Sequence, residues 1–469
     1  MLSHLKSSYT FRYGCNIQTG FYEIVQAVSM VAGAIDKQDI IIPIPDPQVT
    51  GSPDAGARVG KQKCGLKVLM LDTEGIYFDW QSKINQTGRH WDILRTDDVE
   101  SMLSFLEQSR YHVIAIVSSQ HIHQSWRCLV KARALQPIAV RVQLPGMPMS
   151  EQQHELSLNH AHKVFSDHST IEETARTLEY LVKINRLLNK QAIKSYLHTD
   201  SQLPTPPAIY EKLNSLLGSE QSSTDQISHI VSQDPALVAT ILKLVNSASF
   251  GLRRQISNIK DAVTLLGIRH LRALALSGHL THKYPQNGSW SLFSFEHMNL
   301  RSLLVARLAH QLCVEQKASK IVQDQAFLAA LLHNIGHLIL ASRDPAHYQS
   351  VMKHATEHQI GICCAEKQLL GIYHGEAAAY LLNKWNLPNP VVEVALLHHT
   401  PQLSADTEFS PLTAVHIADA VIPATSNGMN TDLSNRLSKS YLQRLGIDKR
   451  IKDWKGLIAQ YRQMGQSLH

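Results

Sequence analysis

The stretch YHGEAAAYLLNKWNLPNPVVEVALLHH, residues 373–399, carries the helical pattern that characterises the second half of this chain. Apolar residues recur every three or four positions over 374–384 and again over 389–399, which predicts two helices. The segment Trp385-Asn386-Leu387-Pro388 between them predicts a turn with an aromatic anchor, because proline rarely continues a helix. Two adjacent histidines, His398 and His399, follow the second helix.

The same helical period continues in both directions from this stretch, from Leu203 to the end of the chain. Helical segments are predicted at 224–232, 235–247, 295–315, 322–340 and 433–463, among others, and no convincing alternating strand occurs. Asp234-Pro235 places a capping acceptor and a first-turn proline at a helix start, and Gly251 and Gly267 lie where helices should end. The second half therefore predicts an all-α domain.

Five motifs in this half share their order and spacing with a known family. They are LPTPP (203–207), SQDPALVATILKLVNSASFG (232–251), AVTLLGIRHLRAL (262–274), FLAALLHNIGHLIL (327–340) and the stretch at 373–399. Together they resemble the HDOD family, relatives of the HD-domain metal phosphohydrolases that have usually lost the full metal site. The resemblance implies an all-α HDOD domain over 203–400, with 401–469 as helices that complete or flank it.

The resemblance also implies a set of candidate metal ligands, since HD phosphohydrolases hold one or two divalent ions through histidines and aspartates from several helices. The candidates are His297, His333, Asn334, His374, His398, His399 and Asp419. The HD dipeptide itself is His333-Asn334, and asparagine lacks the charge that the family's aspartate offers a cation. Weakened metal binding is therefore expected.

The histidines leave two interpretations open. Four or five imidazoles could hold Zn²⁺ without the missing carboxylate, and His333 and His337 have the spacing that places them on one helix side. Alternatively, His297 and His374 form core hydrogen bonds, the His398-His399 pair packs at a helix end, and Asp419 pairs with a Lys or Arg. We expect surface or internally hydrogen-bonded roles for the remaining histidines of this region, His337, His347, His354 and His358, and structural roles for Asp234-Pro235 and Asn246-Ser247.

The first half alternates strands and helices. Strands are predicted at 66–72, 111–119, 137–144 and 162–167, with helices at 99–108 and 125–135, and this alternation predicts a parallel sheet. With an aspartate, Asp72, ending the first strand, the segment 66–183 resembles a response-regulator receiver domain, a flavodoxin-like fold. An unrelated small α/β domain is the alternative.

The phosphorylation chemistry of a receiver is missing from these residues. A working receiver has an acidic pair after the first strand, but here Thr73 follows Asp72 and Glu74 comes next. It also has a phosphoacceptor aspartate after the third strand, where this chain has Ser118 and Ser119. We therefore predict a degenerate receiver, with Asp72 and Glu74 as an acidic remnant, that serves docking or dimerisation.

The segments that flank this domain are less informative. Residues 169–198 predict one long helix, capped by Ser169 or Thr170, whose end forms a helical connector at 184–202. The connector is either a dimer seam or the end of the domain followed by a linker. Residues 1–65 predict a leader and flexible linker without an assigned function.

Composition limits the class of protein. The chain has 469 residues and a net charge of +6, from 45 Lys+Arg against 39 Asp+Glu, and it has no basic block. A strongly basic nucleic-acid binder is therefore not expected. Six cysteines without a C-x-x-C pair, the absence of a signal-peptide pattern, and a longest apolar stretch of only Phe327–Leu340 predict a cytoplasmic protein that does not span a membrane.

These observations lead to one prediction and its rivals. We expect a non-catalytic bacterial signal-transduction regulator that acts through unidentified signalling protein partners. It is expected to form a homodimer through the connector helix. No cofactor is expected, although the binding of a divalent metal is left open. The main alternative is a metal-dependent phosphohydrolase or phosphodiesterase acting on a nucleotide or cyclic nucleotide. The sequence His399-Thr400-Pro401 lacks the GYP signature of cyclic-dinucleotide phosphodiesterases, so no residue points to that substrate. A third reading is a ligand sensor that uses the old cavity without turnover.

Overall fold

The computed structural model describes residues 65–119, 122–150, 153, 157, 160–197, 208–217, 223–247, 255–282, 295–385, 387–423 and 437–466. Four predicted features lie outside these residues: the leader up to residue 64, the end of the connector from residue 198, the LPTPP motif and Gly251. All of the described residues belong to one compact unit, Gln62–His469.

A five-stranded parallel sheet forms the first part of this unit. Its strands are β1 (Lys67–Leu71), β2 (Asp92–Thr96), β3 (Val113–Val117), β4 (Val140–Leu144) and β5 (Lys163–Val164), in the order β2-β1-β3-β4-β5. Val68 of β1 pairs with Ile93 on one side and with Val113 on the other. This strand order is that of the flavodoxin-like doubly wound folds, so the predicted parallel sheet is confirmed. Strand order alone does not identify a receiver domain.

One strand of the sheet, β2, was not among the four predicted. Asp92 and Arg95 are exposed in it, while Ile93 and Leu94 are only half-buried, because β2 lies at the sheet edge. Such a strand lacks the continuous apolar run that marks β1 and β3, which are buried on both faces.

Helices cover both faces of the sheet. They are α1 (Trp80–Gln86), α2 (Val99–Gln108), α3 (Ile122–Leu135) and α4 (Ile171–Leu188). On one face Trp80 of α1 and Leu178 of α4 share a core with Val68, and on the other Met102 and Leu129 pack with Leu69. Alternate residues of β1 therefore feed opposite cores, as its period of two requires.

The acidic remnant of the sheet has a structural use. Asp72 is fully buried, and its carboxylate accepts hydrogen bonds from the backbone N–H groups of Ile76 at 3.0 Å and Tyr77 at 2.8 Å. Arg95 lies 3.5 Å from the same carboxylate, whereas Glu74 is exposed. The carboxylate of Asp72 thus holds the loop that connects β1 to α1.

The second part consists of helices. In chain order they are α5 (Gln191–Tyr196), α6 (Ala208–Leu217), α7 (Thr224–Ser232), α8 (Pro235–Val245), α9 (Ile259–His282), α10 (Phe295–Glu315), α11 (Lys320–Leu332), α12 (Ile335–Arg343), α13 (Pro345–Glu357), α14 (Ile362–Leu370), α15 (His374–Lys384), α16 (Asn389–Leu397), α17 (Pro411–Val421), α18 (Lys439–Arg444) and α19 (Lys455–Gln466). The predicted helical second half is confirmed for the described residues.

Helix α4 joins the two parts of the unit. Its first turns pack on the sheet through Leu178, and its last turns enter the core of the helical part through Ile184 and Leu188. Thr170 caps α4 in a capping box with Glu173, as its position predicted. The single helix expected over 169–198 is interrupted, however, because α4 ends at Leu188 and α5 begins at Gln191.

Several predicted helix boundaries have clear local causes. Asp234 accepts a hydrogen bond from the N–H of Leu237 at 3.0 Å and so caps α8. Asn246 bonds both backbone groups of Ile256 at 2.7 Å, which confirms a structural role for that motif. Gly267 adopts a φ of 71° and kinks α9, a backbone conformation that favours glycine.

The helix predicted over 322–340 is divided into α11 and α12 at His333-Asn334. By length and composition the segment Lys320–Arg343 could cross a membrane, because its most apolar window has a mean hydropathy of 1.3, but 89% of that window is buried inside the protein. Such burial is typical of a core helix.

Replacing Asp72 with Ala should destabilise the α/β part by about 2 kcal/mol, because the backbone N–H groups of Ile76 and Tyr77, which are partly buried, lose their acceptor. Urea unfolding followed by tryptophan fluorescence measures this change. Glu74→Ala is the matched control, and we expect it to stay within about 0.5 kcal/mol of wild type. Equal effects of the two variants would contradict the structural role of Asp72.

Candidate functional site: a buried histidine cluster

Four helix ends bring most of the predicted ligands together. His333 follows α11, His374 begins α15, His398 and His399 follow α16, and Asp419 lies on α17. We call the five side chains of His333, His337, His374, His398 and His399 the histidine cluster. His333, His374 and His398 are each at most 1% exposed, while His399 lies at the solvent-facing edge.

Ring contacts connect the cluster. The ring centroid of His398 lies 4.9 Å from that of His333 and 4.0 Å from that of His399. The Nε2 atoms of His374 and His398 are 3.4 Å apart. His337 stacks on His374 with 3.7 Å between ring centroids, so it is a buried, hydrogen-bonded member rather than a surface histidine.

The other two predicted ligands lie at the margins of the cluster. His297 is half-buried on α10, one helical turn before Arg301. Asn334 is half-buried at the cap position of α12, and its side chain makes no capping hydrogen bond.

Close packing of α12 against the start of α15 positions His374. A Cβ atom added at Gly336 would lie 1.8 Å from the carbonyl oxygen of His374, far inside van der Waals contact. Gly375 likewise leaves room for the ring of Tyr373. Glycine at 336 is therefore required for the approach of these two helices.

An arginine that the sequence did not single out holds Asp419. Nη1 of Arg301 donates to Oδ1 of Asp419 at 2.7 Å, and its other N–H groups donate to the backbone oxygens of Asp419, Ile422 and Pro423 at 2.8 to 2.9 Å. Nε2 of His333 lies 3.3 Å from the same carboxylate oxygen. The sequence interpretation in which Asp419 pairs with a basic residue therefore matches the structure.

A second carboxylate, Glu366 on α14, organises the other side of the cluster and was also missed. Its Oε2 accepts from both Nδ1 and the backbone N–H of His374, at 2.7 and 2.9 Å. Its Oε1 accepts from the hydroxyl of Tyr348 at 2.6 Å and lies 3.1 Å from Nδ1 of His337. The sequence does not mark Glu366, because its complete burial is visible only in the structure.

The electrostatics of this side follow from burial and charge. Burial lowers the pKa of His374, but the Glu366 carboxylate and the neighbouring Cys363 sulfur outweigh it and raise the pKa to about 10. Burial raises the pKa of Glu366, but His374 and His337 bring it well below its usual range. Burial and His374 lower the pKa of His337 to about 4. Burial and His333 bring the pKa of His398 well below its usual range.

These directions define a complete proton arrangement. His374 is an imidazolium that donates from Nδ1 to Glu366 and from Nε2 to Nε2 of His398. His398 is neutral, and its Nδ1–H points to the carbonyl oxygens of Val394 and Ala395, both at 3.1 Å. Each buried ring atom on this side thus has a partner within the protein.

Two sets of side chains also have ligand atoms within 4.8 Å of one another, as a single metal ion would need. One is Cys363, His374 and His399, and the other is His337, Glu366 and His374. Thiolate and imidazole are ligands that Zn²⁺ accepts. Both sets depend on His374, whose Nδ1 already donates to Glu366.

The donor atoms do not fit a two-metal centre of the HD type. Such a centre needs unpaired carboxylates, and Asp419 is bound by Arg301 while residue 334 is an uncharged Asn. The cluster therefore resembles a metal site in the positions of its histidines and differs from one in its charges.

Gly336→Ala should destabilise the protein by at least about 2 kcal/mol, because the new Cβ must push α12 away from His374. Thermal and urea unfolding measure the change. Gly361→Ala is the matched control, since nothing lies within 4 Å of a Cβ there, and it should stay within about 1 kcal/mol of wild type. A tolerated Gly336→Ala change would contradict the close approach of α12 and α15.

A curated protein matches part of the chain. The chain is 27% identical over 250 residues to an uncharacterized protein of Treponema pallidum, a match that covers 52% of this chain and 47% of that protein. The chain thus spans about half the length of this curated relative.

Solved structures match the chain at low sequence identity and with TM-scores below 0.5. An HDOD domain protein of unknown function from Geobacter sulfurreducens is 21% identical, with a TM-score of 0.48, and covers 61% of this chain and 99% of its own. A structure from Marinobacter aquaeolei, provisionally named a signal transduction protein, is 17% identical with a TM-score of 0.45 over 79% of this chain and 87% of its own. One from Shewanella amazonensis, provisionally named a metal-dependent phosphohydrolase, is 22% identical with a TM-score of 0.40 over 61% of this chain and 98% of its own.

The family comparison is the more direct result. Residues 203–401 match the HDOD domain family, and their limits coincide within one residue with the segment predicted from the sequence motifs. The histidine cluster, apart from its contact with Asp419, is built from this segment. Residues 203–401 of this chain are an HDOD domain.

Proposed function

We propose that this protein is a non-catalytic signal-transduction regulator whose HDOD domain acts by binding other proteins. The observation that carries the proposal is the buried ion pair between Arg301 and Asp419, with 2.7 Å between Nη1 and Oδ1. A guanidinium is a permanent cation. It takes the place that a divalent ion would need on this carboxylate.

The charges of the whole cluster support the same conclusion. Two buried carboxylates, Asp419 and Glu366, face two buried cations, Arg301 and the imidazolium of His374. A divalent ion would add two positive charges to a set that is already neutral, in a region where water cannot screen them. Binding an ion would therefore require the loss of protons or of the Arg301 contact.

A direct contact links the α/β part to the HDOD domain. The hydroxyl of Tyr180, on α4, donates to Oε1 of Glu393 at 2.7 Å, and the hydroxyl of Ser404 donates to the same atom at 2.8 Å. Glu393 lies on α16, the helix that ends at His398. We infer that the α/β part acts as a degenerate receiver-like input module and reports its state to the HDOD domain through this contact.

The input does not depend on phosphorylation in this proposal. The carboxylate of Asp72 is engaged by the loop after β1, and the end of β3 offers Ser118 and Ser119 instead of an aspartate. In this proposal the sheet receives its signal by contact with another protein. Signalling proteins as partners, self-association through the region after α4 and a cytoplasmic location complete the proposal.

A metal-dependent phosphohydrolase is the second candidate function. The set Cys363, His374 and His399 favours it, because three soft or borderline ligands lie within 4.8 Å of one another. When bound, a metal would supply Lewis-acid activation of water or a phosphoryl group. For this candidate His374 must lose one ring proton, so that a ring nitrogen can bind the metal while the other stays hydrogen-bonded.

Metal content distinguishes the two candidates. We expect protein purified without a tag or chelator to hold less than about a tenth of an equivalent of Mn, Fe or Zn at this cluster. Asn334→Asp alone should change this little, because Arg301 still occupies Asp419. Asn334→Asp combined with Arg301→Met should raise the affinity for Mn²⁺, measured by calorimetry, because it restores one carboxylate and frees another.

Arg89→Met is the control for this experiment, since Arg89 pairs with Glu172 and Glu179 in the α/β part, away from the cluster. Hydrolysis of a chromogenic phosphodiester is followed in parallel. Stoichiometric metal in the wild-type protein, lost in His374→Ala together with phosphodiester hydrolysis, would contradict the proposal and support the enzyme.

The Tyr180–Glu393 contact predicts a pH dependence of stability. Burial and the nearby Asp406 raise the pKa of Glu393 to about 7, whereas an exposed glutamate titrates near 4.5. The folded state therefore keeps a proton that the unfolded chain releases, so the contribution of Glu393 to stability falls as pH rises from about 4.5 to about 7.

Urea unfolding at pH 5 and pH 8 tests this dependence. The difference between the two pH values should be smaller in Glu393→Gln than in wild type, while Glu408→Gln, an exposed neighbour, should match wild type. Tyr180→Phe should cost about 1 kcal/mol by removing the donated hydrogen bond. Identical pH profiles for wild type and Glu393→Gln would contradict the buried, protonated state.

A further inference from the structure

Three buried polar atoms without a hydrogen-bond partner lie together on the other side of the HDOD domain. They are Nε2 of His270 on α9, Nε2 of His310 on α10 and Oδ1 of Asp324 on α11. Buried polar atoms usually have partners, and a group of orphaned atoms indicates an ordered water or ion that satisfies them.

The proton on His270 makes this arrangement informative. Nδ1 of His270 lies 3.0 Å from the carbonyl oxygen of Leu266, so the ring donates from Nδ1. The neutral ring then presents the lone pair of Nε2 to the Asp324 carboxylate, 3.9 Å away. A lone pair and a carboxylate repel each other, and a bridging water or a cation between them removes the repulsion.

A second imidazole completes the group. The ring centroid of His310 lies 4.9 Å from that of His270, with the two planes at 77°. The ring of Phe327, whose centroid is 4.1 Å from that of His270 and 6.4 Å from that of His310, forms an apolar wall. Two imidazoles and one carboxylate against an apolar wall form a typical zinc environment.

We propose that His270, His310 and Asp324 bind a divalent transition-metal ion of the Zn²⁺ class, with water in the fourth position. Donor atoms of the three residues come from three consecutive helices, so the ion would cross-link α9, α10 and α11. The donor atoms of His270, His310 and Asp324 do not all lie within 4.8 Å of one another, unlike those of the two sets in the histidine cluster. In this proposal His310 therefore changes its rotamer when the ion binds.

The charges around the group define the competition for this site. Nη1 of Arg269 bonds Oδ2 of Asp324 at 2.7 Å, but the Arg269 side chain is 27% exposed, whereas that of Arg301 at Asp419 is only 7% exposed. Water therefore weakens the charge of Arg269 at this site, and Oδ1 of Asp324 is left for the metal. Nζ of Lys320 lies 3.7 Å from that Oδ1, and its side chain is 55% exposed. Zinc therefore displaces Lys320, which can move into water at little cost.

Zinc titration of the untagged full-length protein tests the site, with calorimetry and thermal unfolding as readouts. Wild type should bind one more equivalent of Zn²⁺ than His310→Gln or Asp324→Asn, and both variants should lose the rise in Tm that zinc gives wild type. His347→Gln, which removes an exposed histidine on α13, is the matched control and should retain the full count. Equal zinc counts in wild type and both variants would overturn the proposal and leave only a buried water.

Lys320→Met provides a test that does not disturb the core, because it alters an exposed side chain. Removing the competing ammonium group should tighten zinc binding several-fold. Unchanged zinc affinity in this variant would contradict the proposed use of Oδ1. None of these residues belongs to the histidine cluster, so the result is independent of the proposed regulatory function.

Discussion

The ion pair between Arg301 and Asp419 is the interaction on which this account of the HDOD domain depends. It connects α10 to α17, and the guanidinium also satisfies backbone carbonyls at the end of α17. Removing one partner of such a buried pair leaves an uncompensated charge and typically costs about 3–5 kcal/mol. Structural integrity and the chemistry of the site therefore depend on the same contact.

A second charge pair, Glu366 with His374, completes the balance. Glu366 lies on α14 and His374 begins α15, so this pair orients the helix whose close approach to α12 needs Gly336. The histidine positions of a metal site are thus retained, while their charges are compensated by protein groups. In the proposed function, this charge-balanced core supports the helices that bind other proteins.

Sequence reasoning recovered the features that have a periodic or motif signature. The helical domain, the parallel sheet and the cap at Thr170 follow from local patterns, and the motifs at 203–400 anticipated the family. Arg301 and Glu366 were missed because their partners are distant in sequence or on another helix. Strand β2 was missed because its sequence, DILRT, shows neither a long apolar run nor an alternation of apolar and polar residues.

The charge state of His374 tests the central claim most directly. A side-chain ¹⁵N–¹H correlation spectrum at pH 8, with His374→Gln to assign the signals, reports whether each ring nitrogen carries a proton. Because the pKa of His374 is raised to about 10, the account predicts that both nitrogens are protonated and that a chelator changes nothing. A bare ring nitrogen whose shift changes when a chelator is added would contradict the account and indicate a bound metal.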